Sequence, residues 1–204
     1  MTSPSSWADD RPAPRDLDGS SLLERAVSYT RGSLQLVGST SLTASTPCRG
    51  WDLHALLRHM NDSLATFTEA AEIGYVDLVP VRDTGPVSDP SRVLVERLRG
   101  RACALLAAWA HPRTGSVRVA DRVLRSDLLA SAGSLEIAVH GWDVAQACGV
   151  NRPLPPALAA DLGELVPALV SDDDRPGRFA EPIDVPVHAP SSTRLLAALG
   201  RRSP

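Results

Sequence analysis

The sequence predicts an all-α fold, a helix bundle formed as one domain. Four segments carry apolar residues at spacings of three and four, which is the pattern of a helix with one buried face. Stretches rich in Pro, Gly, Ser and Asp separate these segments, and the alternation typical of strands is weak and short. With 204 residues, of which 43% are hydrophobic and 22% charged, the chain is long enough for one well-packed core.

The first helix is predicted to begin at Ser20, a residue type that caps helices. Apolar residues continue at helical spacing as far as Leu36, although glycines weaken the far end. Residues 1–18 are polar and proline-bearing without apolar periodicity. We therefore expect them to form a flexible lead that precedes a single domain over residues 19–204.

The second helix is predicted to begin after Asp52, which follows a turn-forming loop at residues 45–51 and is placed to cap the helix. His59 lies inside this helix, among leucines at helical spacing. The stretch from Gly74 to Pro90 combines prolines, glycine and aspartates. It is predicted to be a long loop of the kind that often borders a site.

Two further long helices follow. The third is predicted over Ser91 to Ala110, where His111-Pro112 ends it. The fourth is predicted to begin at Ser126 or Asp127, to be apolar along most of its length, and to reach Cys148. Gly149 terminates it, as glycine commonly does after the last helical turn.

Shorter elements are predicted around and after these helices. Gly115 to Val123 alternates weakly, which indicates a short strand or an extended connector. Apolar spacing predicts a helix from Pro155 to Val170 and a terminal helix from Ser191 to Leu199. The Asp- and Pro-rich loop at residues 171–190 contains an extended piece at Ile183 to Val187.

Composition narrows the class of function. The formal charge of -3, with arginines scattered among carboxylates, predicts no nucleic-acid partner. The N-terminal residues contain no apolar stretch of a signal peptide, and no later run reaches the roughly 18 apolar residues of a membrane helix. The three cysteines are far apart and odd in number, so no disulfide framework is expected. We expect a cytoplasmic protein without a membrane partner.

Glu136 and His140 are the first candidate metal ligands. They lie four residues apart on the fourth helix, so both side chains project from one face about one turn apart. The alternative is an exposed ion pair, because this spacing also occurs on solvated helix faces. Apolar neighbours on both sides, such as Leu135 and Val139, favour a buried carboxylate that requires a partner.

His59 is the third candidate ligand, although a single histidine among leucines is more often a core residue. Neighbouring helices of a bundle bring inward-facing polar groups together, and metal sites are built there from different helices. Two imidazoles and one carboxylate suit zinc, with a fourth position open to water or substrate. The same ligands also suit iron or nickel. Asp143, three residues after His140, is placed either to orient that histidine or to bond the backbone.

Other reactive residue types receive no chemical role from the sequence. Nothing near Cys48 in sequence lowers a thiol pKa, so we interpret it as a small packed side chain rather than a nucleophile. We expect no catalytic residue beyond the metal ligands. Three tryptophans are assigned to the core or to a pocket wall: Trp51, Trp109 and Trp142. The other three histidines receive no chemical role: His54, His111 and His188.

Two blocks of the sequence resemble a known family. They are Thr46-Pro-Cys-Arg-Gly-Trp-Asp-Leu-His-Ala-Leu-Leu-Arg-His59 and Leu135-Glu-Ile-Ala-Val-His-Gly-Trp-Asp-Val-Ala145. Both are similar to the signature blocks of the mycothiol-dependent maleylpyruvate isomerase family, which belongs to the DinB-like superfamily. The end of the chain, from Arg178-Phe179 to Arg194-Leu-Leu-Ala-Ala-Leu-Gly200, resembles an actinobacterial metal-binding branch of it.

The resemblance implies a DinB-like up-down four-helix bundle with short additional C-terminal helices and a small extended segment. It places the family's metal-binding His, Glu and His on His59, Glu136 and His140. A divalent metal, expected to be Zn²⁺, would then take a low-molecular-weight thiol, mycothiol, and lower its pKa for addition to a small electrophile. In an S-transferase the thiol stays on the product, whereas in a thiol-assisted isomerase it is expelled after bond rotation.

Two other functions remain open at this point. The same metal could activate water for hydrolysis, or the protein could be a non-catalytic metal- or small-molecule-binding protein of a biosynthetic pathway.

The family's isomerase has a further C-terminal domain that helps bind its dicarboxylate, and we expect no full equivalent here. An anionic electrophile would need a cation, for which Arg82 or Arg178 are available. A homodimer is compatible with the sequence, which does not fix the oligomeric state.

Overall fold

Six α-helices and a small sheet form the part of the chain that the structure describes. The computed structural model describes residues 18–76, 90–111, 114–175 and 177–203. The helices are α1 (Gly19–Leu34), α2 (Leu53–Ile73), α3 (Ser91–Ala110), α4 (Ser126–Ala147), α5 (Pro156–Leu169) and α6 (Ser191–Ala198). The strands are β1 (Tyr75–Val76), β2 (Ser116–Val119) and β3 (Arg122–Arg125). The predicted all-α class is confirmed. The predicted lead at residues 1–18 lies outside the described residues except for Asp18.

The four long helices form the bundle. α1 packs against α4 and α3, and α2 packs against the same two helices. α4 is buried around most of its circumference, as its uniformly apolar sequence requires. Thr30 of α1 lies directly against Gly141 of α4, where a Cβ would come within 2.3 Å of the threonine Oγ1. The glycine therefore allows these two helices to approach closely.

The helix ends show where capping was predicted well and where it was not. The Asp52 side chain accepts a hydrogen bond from the Ala55 backbone N–H at 2.8 Å, which confirms the predicted start of α2. The prediction of Ser20 as the first cap is wrong. Asp18 caps α1 instead, because its carboxylate accepts the Ser20 backbone N–H at 3.1 Å. Gly149 ends α4 with a φ of 71°, as predicted.

The sheet differs from the extended segments that the sequence predicted. β2 and β3 form an antiparallel hairpin within the stretch expected to be one strand or connector, and β1 pairs parallel to β2. Ile183–Val187, predicted to be extended, forms no strand in the structure. The Ile183 N–H instead donates to the Ala197 carbonyl, which ties this loop to α6. Of the loop predicted at Gly74 to Pro90, residues 77–89 lie outside the described residues.

The C-terminal elements close one end of the bundle. α5 and α6 pack against each other, and α5 also contacts α4. Arg175 donates to the Ala198 carbonyl at 2.8 Å, holding the preceding loop against the end of α6. Gly200 adopts a φ of 73° and turns the chain after α6, so that Arg201 reaches α4. In the described part of the chain, no helix combines the length and the apolar character that a membrane span requires.

Candidate metal centre

Three side chains from two helices converge between α2 and α4. His59 comes from α2, and Glu136 and His140 come from successive turns of α4. His59 Nε2 lies 2.6 Å and His140 Nε2 lies 3.3 Å from the same oxygen, Glu136 Oε1. One nitrogen or oxygen atom from each residue lies within 4.8 Å of the others. The structure therefore brings together the three residues that the sequence singled out.

The pKa values of Glu136 and His140 are set by the charges and hydrogen bonds of their neighbours in this cluster. Burial acts to raise the pKa of Glu136, but the neighbouring His140 and His59 outweigh it and lower that pKa well below its usual range. Burial likewise acts to lower the pKa of His140, but Glu136 and Asp143 raise it well above its usual range. Glu136 is therefore held as a carboxylate, the form that a metal binds.

Ser63 and Trp51 contact two of the candidate ligands, Glu136 and His59. Ser63 Oγ donates a hydrogen bond to Glu136 Oε1 at 3.0 Å, one helical turn after His59. The Trp51 ring lies 4.7 Å from the His59 ring, between centroids, and is 37% exposed. Trp51 thus forms a partly open wall of the site, whereas Trp109 and Trp142 are buried in the core.

Asp143 and Arg201 lie on the other side of His140. Asp143 Oδ2 is 2.9 Å from His140 Nδ1, and both carboxylate oxygens accept hydrogen bonds from Arg201, at 2.8 and 2.9 Å. The Asp143 side chain is fully buried. Burial opposes its charge, but Arg201 and His140 lower its pKa to about 2. A carboxylate that accepts from Nδ1–H leaves Nε2 of His140 free to face Glu136.

Sequence reasoning missed Ser63, one turn after His59, and also Arg201. Arg201 is the more distant of the two. It is one of two consecutive arginines near the end of the chain, with no spacing that relates it to α4. Its burial is the only signal, because a buried arginine requires a carboxylate partner, and burial is not visible in the local sequence.

A second cluster shares His140 with the first. Cys48 Sγ lies 3.2 Å from Asp143 Oδ2 and 3.7 Å from His140 Nδ1. Arg201 places its guanidinium on the same carboxylate and 3.7 Å from the Cys48 sulfur. A cation already neutralises this cluster, so a metal fits it less well than it fits His59, Glu136 and Nε2 of His140. Cys48 packs partly against the core, and Cys48, Cys103 and Cys148 are all free.

The donor set of the first cluster fits a divalent metal. Tetrahedral zinc with ligand bonds near 2.0 to 2.2 Å separates its ligand atoms by about 3.3 Å, which small side-chain adjustments of the observed arrangement would produce. The two imidazoles and the carboxylate also match the His₂Glu set of catalytic zinc, which leaves one position for another ligand. His54, His111 and His188 are not part of this cluster.

A cavity of about 870 Å³ opens beside the cluster. All three candidate ligands line it, together with side chains from α2, α4, the hairpin, the end of α5 and the C-terminal residues. This volume is within the range of about 300 to 1,000 Å³ that small-molecule sites occupy. Arg178, one of the two cations considered for an anionic substrate, lines the cavity, and Arg82 lies outside the described residues.

Solved structures share the fold. The chain is similar to the crystal structure of the mycothiol-dependent maleylpyruvate isomerase, with a TM-score of 0.58 and 17% sequence identity. A histidine-to-alanine mutant of that enzyme gives a TM-score of 0.56 and 16% identity. Each comparison covers 74% of this chain and 70% of the other.

Sequence comparisons identify the family. Two uncharacterized proteins of Mycobacterium tuberculosis, Rv0738 and MT0763, are each 25% identical over 184 residues, which cover 87% of this chain and 94% of theirs. Residues 23–145 match the family model of the mycothiol maleylpyruvate isomerase N-terminal domain. This match contains His59, Glu136, His140 and Asp143 and spans more than half of the 204 residues. The chain therefore belongs to the mycothiol maleylpyruvate isomerase N-terminal domain family.

Proposed function

We propose that this protein is a metal-dependent enzyme that uses a low-molecular-weight thiol, mycothiol, to modify a small electrophile. The convergence of His59, Glu136 and His140 beside the large cavity carries this proposal. Membership of the family and the fold shared with a mycothiol-dependent isomerase support it. When bound by these residues, a divalent metal, which we propose to be zinc, would supply a Lewis acid that lowers the pKa of a thiol.

The residues around the cluster have defined tasks in this proposal. Asp143 accepts a hydrogen bond from the Nδ1–H of His140 and so directs Nε2 toward Glu136. Ser63 holds Glu136 Oε1 through its hydrogen bond. Because these partners fix the ligand side chains before any substrate enters, the site is organised in advance and loses little entropy on binding.

The cavity gives the thiol and the electrophile a shared place to react. In the reaction, the thiol gives its proton to solvent, and its sulfur supplies the electron pair of a new bond to an electron-poor carbon of the electrophile, as a π bond at that carbon opens or a leaving group departs with its bonding pair. In a transferase the new S–C bond remains. In an isomerase the S–C bond breaks again after rotation about a carbon–carbon bond, the π bond re-forms, and the released thiolate regains a proton from solvent.

Metal content and turnover test the proposal together. We expect the purified protein to retain about one divalent metal per chain, as three protein ligands with an open position imply, and to consume electrophile only when thiol is present. His59→Ala should lose both the metal and the activity. His54→Ala is the matched control, since it changes a histidine of the same helix outside the cluster.

The outcomes separate the alternative functions. A product heavier by one water, formed without thiol, would identify a hydrolase instead. Stoichiometric metal without turnover over a range of thiols and electrophiles would identify a binding protein. Full activity in metal-free protein would overturn the proposal.

A further inference from the structure

The cavity beside the metal cluster has predominantly apolar walls. Leucine, valine and alanine side chains supply most of the described lining, and both phenylalanines of the chain, Phe67 and Phe179, belong to it. Leu124 of the hairpin and Leu128 of α4 are only half-buried and also line it. Half-buried apolar side chains around a concave site gain free energy when an apolar ligand covers them.

The cationic side chains that the described lining contains already have carboxylate partners. Arg178 Nη1 lies 3.1 Å from Asp174 Oδ1. Arg201 forms two hydrogen bonds with the buried carboxylate of Asp143. An anionic substrate would have to compete with these carboxylates for a guanidinium, and separating Arg201 from Asp143 would leave a buried charge without a partner.

From this distribution we infer that the electrophile is an uncharged, largely apolar molecule, whose carbon framework rests against Phe67, Leu124 and Leu128. Its reactive carbon faces His59, Glu136 and His140. The inference rests on the proposed thiol chemistry and specifies the class of its second substrate. A cavity of about 870 Å³ has room for such a molecule beside the reacting part of a thiol.

A matched pair of fluorescent probes tests the apolar site independently of turnover. N-phenyl-1-naphthylamine is uncharged, and 1-anilinonaphthalene-8-sulfonate is the same molecule with a sulfonate added. We expect the uncharged probe to bind both metal-loaded and metal-free protein at least about tenfold more tightly than the sulfonate, because the described lining offers apolar area and its two arginines are paired with carboxylates. Equal or tighter binding of the sulfonate would overturn the inference.

Substitutions in the cavity wall test whether the probe binds in the cavity. Leu128→Asn should weaken binding of the uncharged probe about tenfold, since it removes one apolar wall. Leu106→Asn is the matched control, because Leu106 is a half-buried leucine of α3 that does not line this cavity. Far-UV circular dichroism confirms folding, and Leu124→Asn replaces Leu128→Asn if the latter fails to fold. Unchanged probe binding in a folded cavity variant would contradict the assignment.

Turnover of two electrophiles that differ by a carboxylate tests the apolar substrate class separately from the proposed thiol chemistry. With 1-chloro-2,6-dinitrobenzene, an S–C bond forms, the C–Cl bond breaks, chloride leaves with the bonding pair and the thiol proton passes to buffer. We expect the metal-loaded protein with mycothiol to accelerate this reaction, relative to the uncatalysed rate, more than that of 4-chloro-3,5-dinitrobenzoate, which is the same ring with a carboxylate added para to chlorine. Preference for the carboxylate overturns the apolar substrate but retains the thiol chemistry. Probe binding without any thiol-dependent turnover retains the apolar site and overturns the proposed reaction.

Discussion

Arg201 connects the end of the chain to the candidate metal cluster, because its guanidinium donates hydrogen bonds to both carboxylate oxygens of Asp143, at 2.8 and 2.9 Å. The carboxylate in turn lies 2.9 Å from Nδ1 of His140. A residue that follows the last helix is thereby connected through one carboxylate to a candidate ligand on α4. We expect the contact between Asp143 and Arg201 to have two separable roles, one in the stability of the fold and one in orienting His140.

Asp143→Asn tests both roles. It leaves Arg201 buried without its charge partner, so we expect the free energy of unfolding to fall by about 3 to 5 kcal/mol. It also weakens the acceptor for His140 Nδ1–H, so metal affinity should fall about tenfold or more. Denaturant unfolding of the metal-free protein and competition with a chelator measure the two effects.

A double variant separates them. Asp143→Asn with Arg201→Leu removes both charges, so most of the lost stability should return while the metal affinity stays low. If affinity recovers together with stability, Asp143 acts through the fold alone and does not position the histidine.

Cys48→Ser tests whether the protein's own thiol takes part in the reaction. The Cys48 sulfur faces Nδ1 of His140 and the Asp143 carboxylate, whereas Glu136 faces Nε2 on the other side of the ring. Cys48 is also absent from the lining of the large cavity. We expect kcat/KM with mycothiol to stay within about threefold, the effect of roughly 0.5 kcal/mol. A loss of a hundredfold or more would assign Cys48 a direct chemical role.

The sequence predicts local features of this fold better than contacts between distant segments. α3 occupies its predicted residues, Ser91–Ala110, because apolar spacing and a following proline define a helix locally. The candidate ligand pair on α4, Glu136 and His140, was visible for the same reason, since a spacing of four places both side chains on a common helix face. The pairing of β1 with β2 and the reach of Arg201 depend on how separate segments pack, which no local pattern encodes.

One prediction is wrong, at the start of α1. Ser20 is a suitable cap by residue type, but Asp18 lies two residues earlier and its carboxylate bonds the free N–H of Ser20. Ile183–Val187 is predicted only as an extended piece, and in the structure the Ile183 N–H bonds the Ala197 carbonyl instead of a strand partner. The sequence offers two possible caps in the first case, and in the second, packing decides what an extended segment bonds.

Gly141→Ala tests the close contact between α1 and α4. An added Cβ would lie 2.3 Å from Thr30 Oγ1 and 3.1 Å from the Thr30 Cα, and that hydroxyl donates to the Ile137 carbonyl at 2.8 Å. Because backbone as well as side chain would have to move, we expect a loss of about 1 to 3 kcal/mol in unfolding free energy. Since Gly141 follows His140, metal affinity should fall as well.

Gly100→Ala is the matched control for this substitution. Gly100 also lies inside a helix, α3, but an added Cβ meets no atom within 4 Å. Alanine has the higher helix propensity, so this variant should gain about 0.5 to 1 kcal/mol. Equal effects of the two substitutions would show that Gly141 has no packing role.

The buried phenol of Tyr29 is expected to make the fold less stable at alkaline pH. Its hydroxyl donates a hydrogen bond to the Arg152 carbonyl at 2.5 Å, and burial raises its pKa to about 12 despite the opposing charge of Arg152. The unfolded chain releases this proton near pH 10, before the folded protein does. The stabilisation is therefore complete below about pH 10 and is lost as the pH rises toward 12, by roughly 2 kcal/mol.

The two tyrosines of the chain provide the comparison. Unfolding free energy measured from pH 8 to 12 should fall less steeply for Tyr29→Phe, which has no phenol to ionise at this buried position. Tyr75→Phe changes a tyrosine that is 41% exposed, so its pH profile should follow that of the unmodified protein. If the stability profiles of all three proteins are parallel, the buried phenol does not control alkaline unfolding. If only Tyr75→Phe flattens the profile, ionisation of the exposed Tyr75 causes the loss of stability instead.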